Sequence, residues 1–347
     1  MLKTKLSECK IENLIDCKYF DEVLKQYRIG RVKPLELNLQ KYGDSFTHPL
    51  FTKIESRLSY FEWSHFLQLG NIRENALTAV RRGEFDTAER LFTEARVPLK
   101  SKLLSFECKL LHETFLEQAQ AYLDYCKGNF EAVYSRMFDA ISIDMILEQE
   151  YNYDIMVIHR IQLLQNLMRT EARSGCLERA MEIASTLLGY LQGTIKNLCL
   201  FDSCGRESLN YQPKEVLADT FAAITSEIAL ILAGKEAQSA NHLLAIALEN
   251  LQLPFANNSC VHQQSYEWIV LKQAIVNYNT VSFLEKTAGF LALGRGGTPL
   301  LWYATVIDLL AVCKRFDFVS TKLIVQEVRQ DAEKWELCSK RLLALID

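Results

Sequence analysis

Apolar and polar positions follow one another along much of the chain with the period of an amphipathic helix. In "RGEFDTAERLFTEA" the apolar positions recur at steps of three and four residues, at Phe85, Ala88, Phe92 and Ala95. This spacing places them on one helix face, because an α-helix has about 3.6 residues per turn. Gly83, just before them, is typical of a residue that ends the preceding helix in the left-handed conformation. The stretch therefore predicts a turn followed by a helix that packs through small and aromatic side chains.

The same spacing returns after three further glycines. Counted from Gly83, the recurring positions are the fifth, ninth and twelfth residues. They are Val133, Met137 and Ala140 after Gly128, then Ala180, Ala184 and Leu187 after Gly175, then Ser239, Leu243 and Ile246 after Gly234. A last and weaker occurrence of the spacing keeps Phe316 and Val319 but has Lys314 at the glycine position. The recurrence predicts a series of helix pairs.

The opening stretch, completed by Pro98, resembles the second half of a tetratricopeptide repeat, which runs Gly, aromatic, Ala, aromatic, Ala, Pro across a helix–turn–helix. Upstream, Ala76 and Ala79 stand where that family has a small residue and a Tyr, and Ile72 stands at its Trp position. The first half of the motif is therefore only partly kept. The steps between the glycines also exceed the family's period of about 34 residues.

These features predict an all-α fold, a tetratricopeptide-like αα superhelix in which about five to seven antiparallel helix pairs form an irregular solenoid. One pair is expected over His262–Asn279 and Thr280–Gly294. Non-helical residues concentrate in five segments: Gly30–Pro34, Tyr42–Pro49, Asn197–Pro213, Leu253–Cys260 and Leu293–Pro299. The first two set residues 1–49 apart as an N-terminal helical cap or docking segment, before a repeat domain over residues 50–347.

Two predicted helices have a polar stripe beside the apolar one. Its residues are Gln162, Asn166, Arg169 and Arg173 on one helix, and Gln118, Tyr122 and Tyr125 on the other. In tetratricopeptide arrays the first helix of each pair lines a concave groove, where amide and Arg side chains hold extended peptides. The resemblance therefore implies that these seven residues form a partner-binding groove. An ordinary solvated helix face would show the same pattern, and the sequence leaves that alternative open.

Composition agrees with long helices. Aliphatic, aromatic and Cys residues make up 49% of the 347 residues, and only 14 Gly and 6 Pro interrupt them. A net charge of −4 gives no positive field for a phosphate backbone, so nucleic acid is not an expected partner. The most apolar windows, Val216–Gly234 and Pro299–Cys313, include acidic residues, and the N-terminus has no apolar signal core. We therefore expect a cytoplasmic protein without membrane contact.

Motifs for catalysis are scarce. The sequence has no HExxH, no GxSxG and no phosphate loop ending in Lys-Ser/Thr, and its six His are scattered singly. None of the ten Cys forms a CxxC pair, which favours free thiols that act as small core residues. A reactive thiol stays open only for Cys199 and Cys204. We accordingly expect no catalytic residue, no metal site and no cofactor.

The segment "GRGGT", Gly294–Thr298, could offer backbone N–H groups to an anion. No predicted strand precedes it, however, and phosphate loops follow a strand. A linker between two helices is favoured, with Gly294 capping the first helix and Pro299 in the first turn of the second.

The leading functional hypothesis is a non-catalytic protein- or peptide-interaction scaffold or adaptor. One alternative is a peptide-responsive regulator of the same architecture. Another is a helical subunit of an enzyme complex, such as a peptide-modifying one, with a site at the Asn197–Pro213 loop. The expected partner is a protein or peptide, and the sequence leaves both a homo-oligomer and a hetero-complex open.

Overall fold

The computed structural model describes residues 17–34, 39–198, 206–252, 263–336, 338 and 340–346, without the side chains of residues 39–45 and 206. Within these residues the chain is 80% helix, with 16 α-helices and no strand, which confirms the all-α prediction.

The first eight helices, in chain order, are α1 (Cys17–Arg31), α2 (Leu39–Arg57), α3 (Tyr60–Arg81), α4 (Phe85–Arg96), α5 (Phe106–Lys127), α6 (Phe130–Tyr151), α7 (Met156–Ser174) and α8 (Leu177–Gln192). The remainder are α9 (Arg206–Asn210), α10 (Lys214–Leu232), α11 (Ala237–Leu248), α12 (Gln263–Val276), α13 (Thr280–Ala292), α14 (Pro299–Cys313), α15 (Val319–Ala332) and α16 (Lys340–Leu343). A 3-10 turn covers Pro98–Lys100.

The contacts divide the chain into two compact units. Unit 1 comprises residues 1–38, 221–249 and 255–347, and unit 2 comprises residues 39–220 and 250–254. In unit 2, α3 packs on α4, α5 on α6 and α7 on α8, and successive pairs meet because α5 also packs on α3 and α4, and α6 on α7. In unit 1, α12 packs on α13 and α14 on α15, while α1 packs on both α13 and α15.

The predicted turn glycines have the expected conformation. Gly83, Gly128, Gly175 and Gly234 all have positive φ, between 69° and 93°. After the first three glycines, the next residue is the N-cap of the following helix. The predicted pair near residue 279 is also present, as α12 and α13.

The small residues after the turns are buried, as the packing pattern requires. Ala88 and Ala180 are both 0% exposed. Ala88, Phe92 and Ala95 of α4 lie in one hydrophobic cluster with residues of both α3 and α5. That cluster includes Ala76, Ala79, Val80, Leu116, Ala119 and Leu123. The second helix of this pair is therefore buried against its own partner and against the next pair.

The predicted register is wrong by one residue in α11. Ser239, predicted at a packing position, is exposed, whereas Ala240 is 2% exposed. The cause is a longer turn, because Glu236 is the N-cap here and stands two residues after Gly234. Counted from the N-cap, the fourth, eighth and eleventh residues are buried in this helix as well: Ala240, Leu244 and Ala247.

Two further predictions need correction. Val319 is 76% exposed, since α15 begins there and turns Ile324 and Val328 inward instead. The predicted break at Tyr42–Pro49 lies within α2, with Pro49 inside the helix. Proline removes one helical hydrogen bond, but Leu50 and Ile54 on the same helix are buried in a hydrophobic cluster, which offsets that cost.

Residues 1–49 thus include α1, in unit 1, and the first part of α2, in unit 2. Their predicted role as a cap or docking segment stays a prediction. The segment Leu253–Cys260 lies outside the described residues.

Candidate functional site

A cavity of about 300 Å³ in unit 2 is lined by residues of α3, α5, α6 and α7. Most of the residues predicted from the two polar stripes line it, namely Gln118, Tyr122, Tyr125, Asn166 and Arg169. The structure therefore brings the polar stripes of α5 and α7 to one place.

The two remaining stripe residues do not line the cavity. Gln162 is half-buried, one turn before Asn166 on α7. Arg173 is exposed at the end of α7, and its Cζ lies 4.3 Å from the centre of the Tyr125 ring. A guanidinium over an aromatic face is attracted to the ring. Arg173 therefore contacts Tyr125, which lines the cavity, and lies at the edge of the cavity without lining it.

The orientation of α5 follows from its two faces. Leu116, Ala119 and Leu123 are buried among the residues of α3 and α4. Tyr122 and Tyr125 stand three residues apart and form a stacked pair, with ring centroids 6.4 Å apart and an interplanar angle of 18°. Tyr122 is 39% exposed, so this pair presents an amphipathic wall to a ligand.

Sequence reasoning missed the wall formed by α3. Arg73, Glu74, Leu77 and Arg81 all line the cavity. Their spacing of about four residues is a signal of one helix face, but a pattern on one helix does not tell which other helix it faces. Phe115, Val133 and Met137 add apolar surface from α5 and α6.

Positive charge predominates in this lining, with Arg73, Arg81 and Arg169 against Glu74. The Cζ of Arg73 lies 5.1 Å from the centre of the Phe115 ring. Burial lowers the pKa of the Arg73 guanidinium below its ordinary value, while the charge of Glu74 opposes this. Arginine keeps its proton at neutral pH even so, and a desolvated guanidinium attracts a carboxylate more strongly than one in water does.

A buried polar network supports the cavity from behind. His159 is 1% exposed, its Nδ1 lies 2.8 Å from Asp144 Oδ2, and its Nε2 lies 3.1 Å from Gln118 Oε1. Thr114 Oγ1 donates to Asp144 Oδ1 at 2.6 Å. The network joins α5, α6 and α7, so it fixes the side chain of Gln118 in the cavity wall.

Arg169 donates from Nη1 to the Asn166 Oδ1 at 2.8 Å. This hydrogen bond holds the two neighbours on α7 together in the cavity wall. Together with the tyrosine wall, the cavity combines hydrogen-bond donors, positive charge and apolar surface.

The cysteines of the described residues differ in environment. Cys108 and Cys313 are buried, and burial raises the pKa of each thiol to about 12, so both are inert at neutral pH. Cys17 and Cys176 are exposed, which the prediction of core thiols did not anticipate. Cys199 and Cys204 lie outside the described residues.

In the part of the chain that the structure describes, no group of three or more His, Cys, Asp or Glu side chains could hold a metal ion.

Neither a protein-family model, nor a curated protein, nor a solved structure is significantly similar to this chain. Among the helices of the described residues, none has the length and apolar character needed to cross a bilayer.

Proposed function

We propose that this chain is a cytoplasmic, non-catalytic interaction protein, a scaffold or adaptor with a tetratricopeptide-like array, and that it binds a segment of a partner protein in the cavity between α3, α5 and α7. The observation that carries the proposal is the convergence of Tyr122, Tyr125 and Arg169 on one cavity of about 300 Å³. A stripe on a solvated helix face would not require such a convergence.

The composition of the cavity suits a peptide. Ligand sites combine a mainly apolar lining with a few polar groups that fix orientation, and a volume near 300 Å³ is at the lower end of their range. Tyr and Arg are also enriched among the residues that dominate binding energy at protein interfaces. The excess of Arg over Glu favours a segment that presents a carboxylate beside an apolar side chain.

The array itself is supported by a common packing position. In α4, α6, α8, α11 and α13 the fourth, eighth and eleventh residues after the N-cap are all buried. The resemblance implies buried residues at these positions, and α4 also has the Ala, aromatic, Ala residue types of the motif. Helix pairs that repeat one packing rule are the basis of an α-solenoid.

The proposal is tested by selection from a displayed library of random peptides on the immobilised full-length protein. We expect enriched peptides that bind the wild type and lose tenfold or more affinity for Tyr122→Ala and for Arg169→Gln, a change of about 1.4 kcal/mol per tenfold. Affinity is measured by fluorescence anisotropy with the enriched peptides.

Matched controls replace exposed residues that do not line the cavity. Tyr60, at 89% exposure, and Arg90 are suitable, so Tyr60→Ala and Arg90→Gln should retain full affinity. The proposal fails if no peptide is enriched, or if the cavity variants bind the enriched peptides as well as these controls do.

A further inference from the structure

Unit 1 contains a cavity of its own, also about 300 Å³, which the proposed function does not use. It lies where the end of α1, the loop before α14 and the end of α15 meet. Its lining consists of Arg31, Val32, Arg295, Trp302, Asp331, Lys334 and Trp335.

The loop is the "GRGGT" segment that the sequence predicts as a linker. That prediction is confirmed in its geometry, since Gly294 has φ of 79° after α13 and Pro299 begins α14. The end of α13, which leads into the loop, also approaches α1 very closely. A Cβ on Gly30 would lie 1.8 Å from the Leu291 carbonyl oxygen, so the contact admits only glycine there. The loop therefore places Arg295 at the cavity.

The acidic wall of the cavity is already occupied by partners from α1. Asp331 Oδ2 accepts from the Tyr27 hydroxyl and from Arg31 Nη1, each at 2.8 Å. Arg31 Nη1 also lies 3.0 Å from Glu327 Oε2. Both carboxylates are thus already paired with arginines of α1.

Two further cations line the cavity without a carboxylate partner. Within the described parts of the chain, neither Arg295 nor Lys334 forms an ion pair. Arg295 donates from Nη2 to the Arg31 carbonyl at 3.2 Å, but its Nε–H is buried and has no acceptor. Because neither Arg295 nor Lys334 has a carboxylate partner, the cavity favours a ligand with negative charge.

Aromatic rings form the apolar side of the cavity. The rings of Trp302 and Trp335 meet edge to face, with centroids 6.0 Å apart, and Trp335 stacks on Tyr303 at 4.5 Å. Trp302 Nε1 donates to the Leu291 carbonyl at 3.3 Å, which fixes its ring. Trp302 stacks on Tyr27 and is 1% exposed, and Trp335 is 9% exposed, so the two rings form a fixed apolar wall against which the ring of a ligand can pack.

We propose that this cavity binds a small aromatic oxyanion, a single ring with a phosphate or carboxylate group. Arg295 donates from its planar guanidinium to the anion, Lys334 adds charge, and the ring lies against the two tryptophans. A planar fork of N–H donors matches both phosphate and carboxylate oxygens. A volume of about 300 Å³ is sufficient for one ring with its anionic group.

Tryptophan fluorescence of the full-length protein provides the test, because two of its four Trp residues line the cavity. Phenyl phosphate and phenylacetate distinguish the two kinds of oxyanion, inorganic phosphate tests the anion alone, and benzyl alcohol is the neutral ring. We expect saturable quenching with at least one aromatic anion below about 10 mM, and at least tenfold weaker binding of benzyl alcohol.

Lys334→Gln and Arg295→Gln should each weaken binding of that anion at least fivefold. Lys334 is exposed, so its variant tests the charge without disturbing the core, and thermal melting checks that Arg295→Gln is folded. Lys322→Gln is the matched control, since Lys322 is an exposed lysine of α15 that pairs with Asp317 at 2.7 Å.

Three results would overturn the inference: no saturable response to any aromatic anion, equal binding of benzyl alcohol, or unchanged binding by both Lys334→Gln and Arg295→Gln. None of them bears on the peptide cavity, whose residues all belong to unit 2.

Discussion

At the residue scale, the turns depend on one backbone position directly before the N-cap of the second helix. Gly83, Gly128 and Gly175 have φ of 77°, 79° and 93° there, and Tyr278 has φ of 59° at the same position before Asn279. The left-handed region costs a non-glycine residue roughly 1–2 kcal/mol. The glycines could be predicted from the sequence. Tyr278 could not, because local preference disfavours it and only the packing of α12 on α13 imposes this conformation.

The left-handed position before the N-cap predicts that two substitutions there change the free energy of unfolding in opposite directions. A Cβ on Gly128 meets no atom within 4 Å, so Gly128→Ala should destabilise through the backbone alone, by about 1 kcal/mol. Tyr278 is 64% exposed and loses little packing, so Tyr278→Gly should stabilise by up to about 1 kcal/mol. Urea unfolding measures both changes.

Gly70, in the interior of α3 with no atom near its Cβ, is the control. Gly70→Ala should stabilise by about 0.5–1 kcal/mol, because alanine is the better helix former. A loss of stability in Tyr278→Gly, or none in Gly128→Ala, would contradict the role of the left-handed position.

At the element scale, the sequence predicted the helices and the face on which each one packs. It predicted less well which positions within a helix are buried and which helices are neighbours. Counting residues from the turn glycine gave the buried positions correctly where the N-cap directly follows that glycine. It gave the wrong position in α11, where the N-cap Glu236 stands one residue further along the chain. The polar stripes of α5 and α7 were visible as periodic positions. The contribution of α3 was not, because the choice of neighbouring helix depends on tertiary contacts that one sequence does not encode locally.

The contact between α3 and α5 should respond to pH through His112. This side chain is 4% exposed, its Nε2 has no hydrogen-bond partner, and its ring centroid lies 5.0 Å from that of Phe66 on α3. Burial, with the charges of Arg73 and His65, lowers the pKa of His112 to about 3 from 6.5.

The folded state disfavours the protonated imidazole of His112. The contribution of this group to the free energy of unfolding is therefore fully present above pH 6.5 and is lost as the pH decreases toward 3. The expected loss from this group is at most about 1.4 kcal/mol per pH unit. His112→Phe should remove that part of the pH dependence when unfolding free energies are compared between neutral and acidic buffers. His48→Phe, at an exposed position, should keep the wild-type slope. An identical slope in His112→Phe and wild type would show that His112 does not titrate in this way.

At the scale of the whole molecule, the all-helical character follows from the sequence, and the grouping of helices does not. Arg28 pairs with Glu327 and Arg31 with Asp331, so α1 contacts α15 from the other end of the chain. Periodicity describes one helix at a time and contains no signal for such distant pairs. The candidate site was therefore predictable as two stripes, and its third wall appeared only with the fold.

The proposed function depends on the repeated packing of helix pairs, because that packing sets the faces that α3, α5 and α7 turn to the cavity. In α4, α6, α8, α11 and α13 the residue four positions after the N-cap is buried, and in three of these helices it is a small Ala, at positions 88, 180 and 240. Two adjacent residues of α11 provide the sharpest comparison, since Ala240 is buried at that position and Ser239 is exposed beside it.

The most direct measurement is therefore the urea unfolding midpoint of Ala240→Leu against Ser239→Leu. We expect Ala240→Leu to lose about 1–3 kcal/mol of stability through overpacking, and Ser239→Leu to stay within about 0.5 kcal/mol of wild type. Equal stability of the two variants, or a larger loss in Ser239→Leu, would contradict this expectation.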